Sequence, residues 1–158
     1  MVVAPPQVQP HLETERPEIV SHSIMLHAGR QVWAAARSGG VVRLGITAEM
    51  VAGLGLLPDK AFVDLAPEDS VLLPTRAFAM VEGPKGMRQL HFPLDGLLLH
   101  CNMTVQQDPG LLNSLAECVD RGWLVEVDIG VDSELEAEAE LVALAHHDAD
   151  PFAPRAIS

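Results

Sequence analysis

Met80-Val81-Glu82-Gly83-Pro84-Lys85-Gly86-Met87-Arg88-Gln89-Leu90-His91-Phe92 is the stretch whose reading decides the fold. Ala77 through Val81 lead in and Leu90, His91 and Phe92 lead out as short apolar strands. Gly83-Pro84-Lys85-Gly86 supplies the turn between them. Pro84 presets φ for the first central turn position, and Gly86 suits the position after the second. Lys85 then holds a central position and projects into solvent. A lysine at a turn tip usually does no more than keep the tip soluble, so any further role must come from the rest of the chain.

Around that hairpin lie 158 residues, 48% of them hydrophobic, enough for one globular domain with a proper core. The net charge of −12 argues against nucleic acid, which needs clustered Lys and Arg to meet phosphates. It suits a monomer that docks on basic protein surfaces. No apolar run approaches the roughly 18–20 residues of a membrane span, so no membrane role is expected. Met1-Val2-Val3-Ala4-Pro5-Pro6 lacks the basic start and apolar core of a secretory signal. Cys101 and Cys118 show no CxxC spacing, and a reduced cytoplasmic setting is the default expectation.

Outward from the hairpin, the chain divides into a flexible leader over 1–23, a domain over 24–148 and a tail over 149–158. Pro5, Pro6, Pro10 and Pro17 among polar residues mark the leader. Gln31 to Ala36 is strand or helix on period alone; the turn Arg37-Ser38-Gly39-Gly40 and the β-branched run Val41 to Ile46 make it a hairpin. Thr47 caps a short helix over 48–57 whose Met50, Val51 and Leu54 share a face. Strands follow over 61–65, 71–73 and 77–81, with Pro74 at a break. Beyond the lysine hairpin come a strand over 97–105, a loop or helix over 111–119, and a strand over 122–129. Ser133 caps a last helix, about 134–147, with Leu135, Leu141, Val142 and Leu144 to pack and acidic residues in its first turns. Many short strands between Gly and Pro turns give a mainly β fold with short flanking helices, a sandwich or small barrel.

Three ordered stretches resemble the H-protein family of the glycine cleavage system. Trp33, a glycine turn and Val42-Arg43-Leu44-Gly45-Ile46-Thr47 are similar to a family hairpin ending Val-Gly-Ile-Thr, followed by a helix closing on Leu-Gly, as Leu54-Gly55 does here. Val81-Glu82-Gly83-Pro84-Lys85 resembles Val-Glu-Ser-Val-Lys, which carries the family's modified lysine. Pro109-Gly110-Leu111-Leu112-Asn113, with Gly122-Trp123-Leu124, resembles Pro-Glu-Leu-Val-Asn and a later Gly-Trp-Leu. The resemblance implies a lipoyl-domain-like barrel-sandwich hybrid with lipoate attached covalently to Lys85. It implies a carrier, not an enzyme, which shuttles an aminomethyl group and reducing equivalents in glycine catabolism. Its implied partners are glycine decarboxylase, aminomethyltransferase, dihydrolipoamide dehydrogenase and a lipoate ligase or lipoyl transferase. Glu82 matches a family glutamate three residues before the lysine, implying a part in recognition of the turn; the other reading is a solvated strand-end acid.

The chain departs from the family pattern at Val32, where a glutamate precedes the tryptophan in relatives, at Gly83-Pro84 in place of Ser-Val, at Gly86 in place of Ala, and near Ser70, where a turn glycine is expected. Two alternatives therefore stand beside the glycine cleavage carrier. One is an H-like lipoyl carrier of sulfur intermediates working with heterodisulfide-reductase-like complexes. The other is an unlipoylated paralogue acting as a binding module.

The remaining chemistry-bearing residues read as structural. His100 and Cys101 point to opposite faces of a strand, and His146 and His147 diverge on a helix, so neither pair suits a shared metal. A nucleophilic cysteine needs an electropositive setting that this acidic chain offers poorly. No Walker or Ser-His-Asp pattern occurs. Trp33 and Trp123 are expected as core or near-core anchors.

Overall fold

The computed structural model describes residues 23–26 and 31–148. The expected leader, all but Ser23, and the expected tail lie outside them, as do His22 and His27. Among the described residues nine strands build two antiparallel sheets. The larger contains β1 (Ser23–Leu26), β2 (Val32–Ala36), β3 (Val41–Ile46), β5 (Val71–Leu72), β8 (Gly96–Cys101) and β9 (Val125–Asp128), in the order β1-β2-β3-β9-β8-β5. The smaller contains β4 (Phe62–Leu65), β6 (Ala79–Gly83) and β7 (Gly86–Leu90), in the order β4-β6-β7. Among the described residues four α-helices lie at the margins: α1 (Ala48–Leu54), α2 (Met103–Gln107), α3 (Leu112–Leu115) and α4 (Glu134–Asp148). This is the mainly β barrel-sandwich arrangement expected.

The core forms because each sheet turns one apolar face inward. Val42, Leu44 and Ile46 from β3, Val125 and Val127 from β9, and Val63 and Val81 from the small sheet join Phe78, Leu90 and Phe92 in one cluster. Ser23, assigned to the leader by composition, begins β1.

The ambiguity of Gln31 to Ala36 has a physical cause. All of β2 is buried. Val32, Ala34 and Ala36 face the main core, while Trp33 and Ala35 are covered from the other side by Val119 and Trp123. A strand buried on both faces loses its alternation. Trp33 donates its indole N–H to the Ala116 carbonyl at 2.7 Å, and its ring lies over Gly45, its cross-strand partner. A Cβ at Gly45 would stand 2.3 Å from the ring, so the tryptophan and the glycine of the motif require each other.

Two assignments shift. The strand expected over 97–105 ends at Cys101, and Met103–Gln107 is helical. Asn102 makes the break: its side-chain amide donates to the carbonyls of Arg121 and Trp123 at 3.2 and 2.8 Å. The last helix is capped by Ser133 as expected, its hydroxyl accepting from Glu136 N–H at 3.1 Å. Its packed face is Ala137 and Leu141 with Leu144, at i, i+4 and i+7; Leu135 and Val142 are exposed.

Candidate functional site

The lysine hairpin forms as the residues dictate. Strands β6 and β7 pair from Ala79↔Leu90 to Gly83↔Gly86, leaving Pro84 and Lys85 as the whole connection. Alternation along β6 sends Ala79 and Val81 inward and Glu82 outward. The Lys85 side chain is exposed, and among the described residues it forms no ion pair.

Its backbone, however, is anchored. The Lys85 N–H donates to the Leu54 carbonyl, the end of α1, at 3.1 Å. Gly55 caps that helix in the left-handed conformation (φ 64°), its N–H donating to Val51 O. A Cβ on Gly55 would stand 3.2–3.3 Å from Cγ, Cδ and Cε of Lys85, so the lysine stem lies along the bare backbone of the cap. A Cβ on Gly83 would stand 2.5 Å from Leu54 O and 2.9 Å from a Leu56 methyl. Only glycine at 83 lets the hairpin settle this close. The lysine expected to stand clear of the body therefore has a solvent-facing end on a root seated against a helix terminus.

A third segment braces the seat. Asn113, on α3, donates its side-chain amide to the Leu56 carbonyl at 3.0 Å. Leu54-Gly55, Gly83 to Gly86 and Pro109 to Asn113 are thus brought together in space. The sequence marked all three as motifs. It did not place Gly55 or Asn113 near the lysine hairpin, or Gly83 against the end of α1, because nothing in spacing alone says that a helix cap receives the hairpin. The signal was present as glycine at both points of contact.

Glu82 is exposed. Its cross-strand partners on the outer face are Phe62 and Met87, so an acid stands between two apolar side chains in one row of the small sheet. Among the described residues it makes no ion pair and no side-chain hydrogen bond.

Elsewhere, Arg43 is a structural charge. Arg43 pairs with its cross-strand neighbour Glu126 at 2.7 Å, donates to Val119 O at 2.9 Å and lies 4.9 Å from the Trp123 ring centroid. Cys101 and Cys118 are free thiols. Burial, and secondarily the Glu68 carboxylate, push the Cys101 thiol above its ordinary range, the opposite of what a nucleophile needs. Among the described residues no group of three or more His, Cys, Asp or Glu could hold a metal ion. No helix among them is long and apolar enough to cross a membrane.

A barrel-sandwich domain with an exposed lysine in a two-residue hairpin connection is the architecture of a lipoyl-domain-like protein. A model of the glycine cleavage H-protein matches residues 25–149, and the chain belongs to that family, whose members are lipoate-bearing carriers and not catalysts. The glycine cleavage system H protein of Aliivibrio fischeri is 30% identical over 105 residues, 66% of this chain and 79% of that one. That of Micrococcus luteus is 29% identical over 122 residues, 77% of this chain and 91% of its own. That of Mycolicibacterium gilvum is 34% identical over 109 residues, 69% and 79%. The crystal structure of an H protein from Mycobacterium marinum superposes with a TM-score of 0.55 at 23% identity, covering 72% of this chain and 93% of that one, and shows the same fold.

Proposed function

We propose that the protein is a lipoyl carrier of the glycine cleavage system, with lipoate in amide linkage to Lys85. The observation that carries this is the seat of Lys85: a backbone held by Leu54, a stem laid along Gly55, and an amino group left exposed. An activated lipoyl group fits that amine. Nζ attacks the acyl carbon, an amide bond forms, the activating group leaves, and the amine gives up a proton. The modification removes the ammonium charge.

The attached lipoate supplies a strained disulfide open to thiol exchange and reduction. The chain's own work is positional. The rigid root limits where the arm can swing, and the acidic body, net −12, steers it to basic entrances on its clients. By family membership the clients are glycine decarboxylase, aminomethyltransferase and dihydrolipoamide dehydrogenase. They exchange an aminomethyl group and reducing equivalents through Lys85 after a lipoate ligase or lipoyl transferase has acted. The carrier works as a monomer in the cytoplasm through its domain over 24–148.

Intact-mass spectrometry of protein from its native host tests the attachment: one lipoyl group, localised to Lys85 and absent from Lys85→Arg, is expected. A chain that is never modified refutes the carrier and leaves the binding module.

One observation favours a second reading. Val32 stands where the family resemblance implies a glutamate, is 3% exposed, and belongs to the core. With that position given over to packing, an H-like carrier of sulfur intermediates remains. Glycine–bicarbonate exchange with glycine decarboxylase separates the two: exchange by the lipoylated protein supports the first, and its absence supports the second.

A further inference from the structure

A helix that only packs on a sheet needs one apolar stripe. Helix α4 has two, on opposite sides. Ala137, Leu141 and Leu144 meet the core, where the helix lies on β1 and β2 of the large sheet. Leu135, Ala139, Val142 and Ala143, at i, i+4, i+7 and i+8, form a second stripe that faces solvent; Leu135 is 75% exposed and Val142 43%. With about 3.6 residues per turn, Glu134 and Glu138 border this stripe on one side and Glu136 and Glu140 on the other. Beyond Glu140 lies a hollow of about 420 Å³, lined by Leu94, Ile129 and Val131 with the acids Asp95 and Glu140. None of these five acids has an ion-pair partner among the described residues.

We infer that the open face of α4 and this hollow form a docking surface for a basic amphipathic helix of a partner protein, one with an apolar ridge flanked by Lys or Arg. Shape selects a helix. Leu135 and Val142 stand two turns, about 10 Å, apart, and Ala139 and Ala143 leave holes beside them that take the ridge of a second helix. Charge selects a basic one. Glutamates on both edges of the stripe favour cations along both flanks of the ridge. The hollow suits a long basic side chain, whose methylene stem packs on Leu94, Ile129 and Val131 while its charge meets Asp95 or Glu140. Other occupants fail on sign. Residues 134–148 hold no Lys or Arg, so two copies pairing through α4 would set glutamate against glutamate. Residues 1–22 hold Glu13, Glu15 and Glu18 against Arg16 alone. The helix packs on the large sheet, whereas Lys85 belongs to the hairpin of the small one, so docking here needs neither the hairpin nor its modification.

The test is calorimetric titration of the full chain with a three-heptad helical peptide carrying Leu at a and d and Lys at e and g. The unaltered chain and Lys85→Arg are expected to bind it equally, and the same peptide with Glu for Lys is expected not to bind. Leu135→Gln with Val142→Gln keeps good helix formers at exposed positions. It is expected to weaken binding about tenfold or more, with an unchanged thermal midpoint. Asp95→Asn with Glu140→Gln is expected to weaken binding and flatten its dependence on salt. Glu49→Gln with Asp64→Asn, two exposed acids elsewhere, is expected to bind like the unaltered chain, as is Phe62→Ser on the small sheet. A photo-crosslinking residue at position 139, in the native host, is expected to join a segment of another protein with apolar residues at helical spacing and Lys or Arg beside them. Normal binding by Leu135→Gln with Val142→Gln, or an equal loss in Glu49→Gln with Asp64→Asn, overturns the inference. Loss in Lys85→Arg assigns the peptide to the hairpin and also overturns it. So does a crosslink to a second copy, to residues 1–22 or 149–158, or to nothing. A chain that is never lipoylated refutes the carrier and leaves this surface standing.

Discussion

Asp69 carries the left-handed backbone (φ 68°) that the turn after β4 demands, where a glycine was expected near Ser70. An aspartate tolerates that conformation better than most residues but still bears part of a cost of about 1–2 kcal/mol that glycine avoids. Asp69→Gly is therefore expected to raise stability by up to about 1 kcal/mol, read by chemical denaturation. Cys101 makes a second prediction at this scale. Its Sγ donates to Ala66 O at 3.1 Å, and Glu68 accepts from its N–H at 2.9 Å. Burial first, then the Glu68 charge, hold the thiol protonated beyond its ordinary value of 9.0. As pH rises the unfolded chain ionises first. The stabilising contribution is thus complete below the ordinary value and is lost as pH climbs through the folded one. Native Cys101 should alkylate more slowly than the denatured chain, and Glu68→Gln should restore part of the rate. Equal native and denatured rates would contradict this account.

The hairpin and the helix cap act as one element. Gly83→Ala places a methyl 2.5 Å from Leu54 O, so the hairpin must lift from its seat. The expected result is a loss of about 1–3 kcal/mol and slower lipoylation of Lys85, whereas Gly53→Ala, facing open space on α1, should disturb neither. The Arg43 strand pair belongs to the same scale. Arg43 and Glu126 side chains are 18% and 16% exposed and bridged at 2.7 Å, so Arg43→Ala leaves a half-buried acid without its partner. A cost of about 1–3 kcal/mol is expected from thermal or urea unfolding, with no change in modification of Lys85. The hairpin strands and turn were legible, because Gly-Pro chemistry between apolar runs admits few other conformations. The C-terminal part of 97–105 was not, because a buried Asn102 hydrogen-bonding across to Arg121 and Trp123 overrides the apolar run. Likewise α4 buries Ala137 against the core and leaves Leu135, 75% exposed, in solvent, because which turn of the helix meets the sheet is decided by how the helix docks and not by its own period.

For the molecule as a whole, Val32 is a core residue where the family resemblance led us to expect a glutamate. A glutamate placed at this 3% exposed position would stand among Ile46 and the rest of the main core. Val32→Glu is expected to cost about 3–5 kcal/mol, an uncompensated buried charge, and to lower the thermal midpoint sharply. A well-tolerated glutamate would mean that the strand end opens to a polar cleft. The overall charge gives a further expectation. Association with any basic client should slow steeply with added salt, since exposed charges are screened beyond about 8–10 Å at physiological ionic strength.

The sequence by itself determined the class: short apolar runs cut by Gly and Pro allow little besides a small β domain, and the ordered motifs point to one family. It also determined the turn that presents Lys85, because turn chemistry is local. Only the tertiary structure decided that the lysine is seated and not free, that Val32 is core, and that Phe62 and Met87 flank Glu82. Those facts depend on which strands pair and which helix end meets which hairpin, and such contacts join residues far apart in the chain whose spacing carries no record of the meeting.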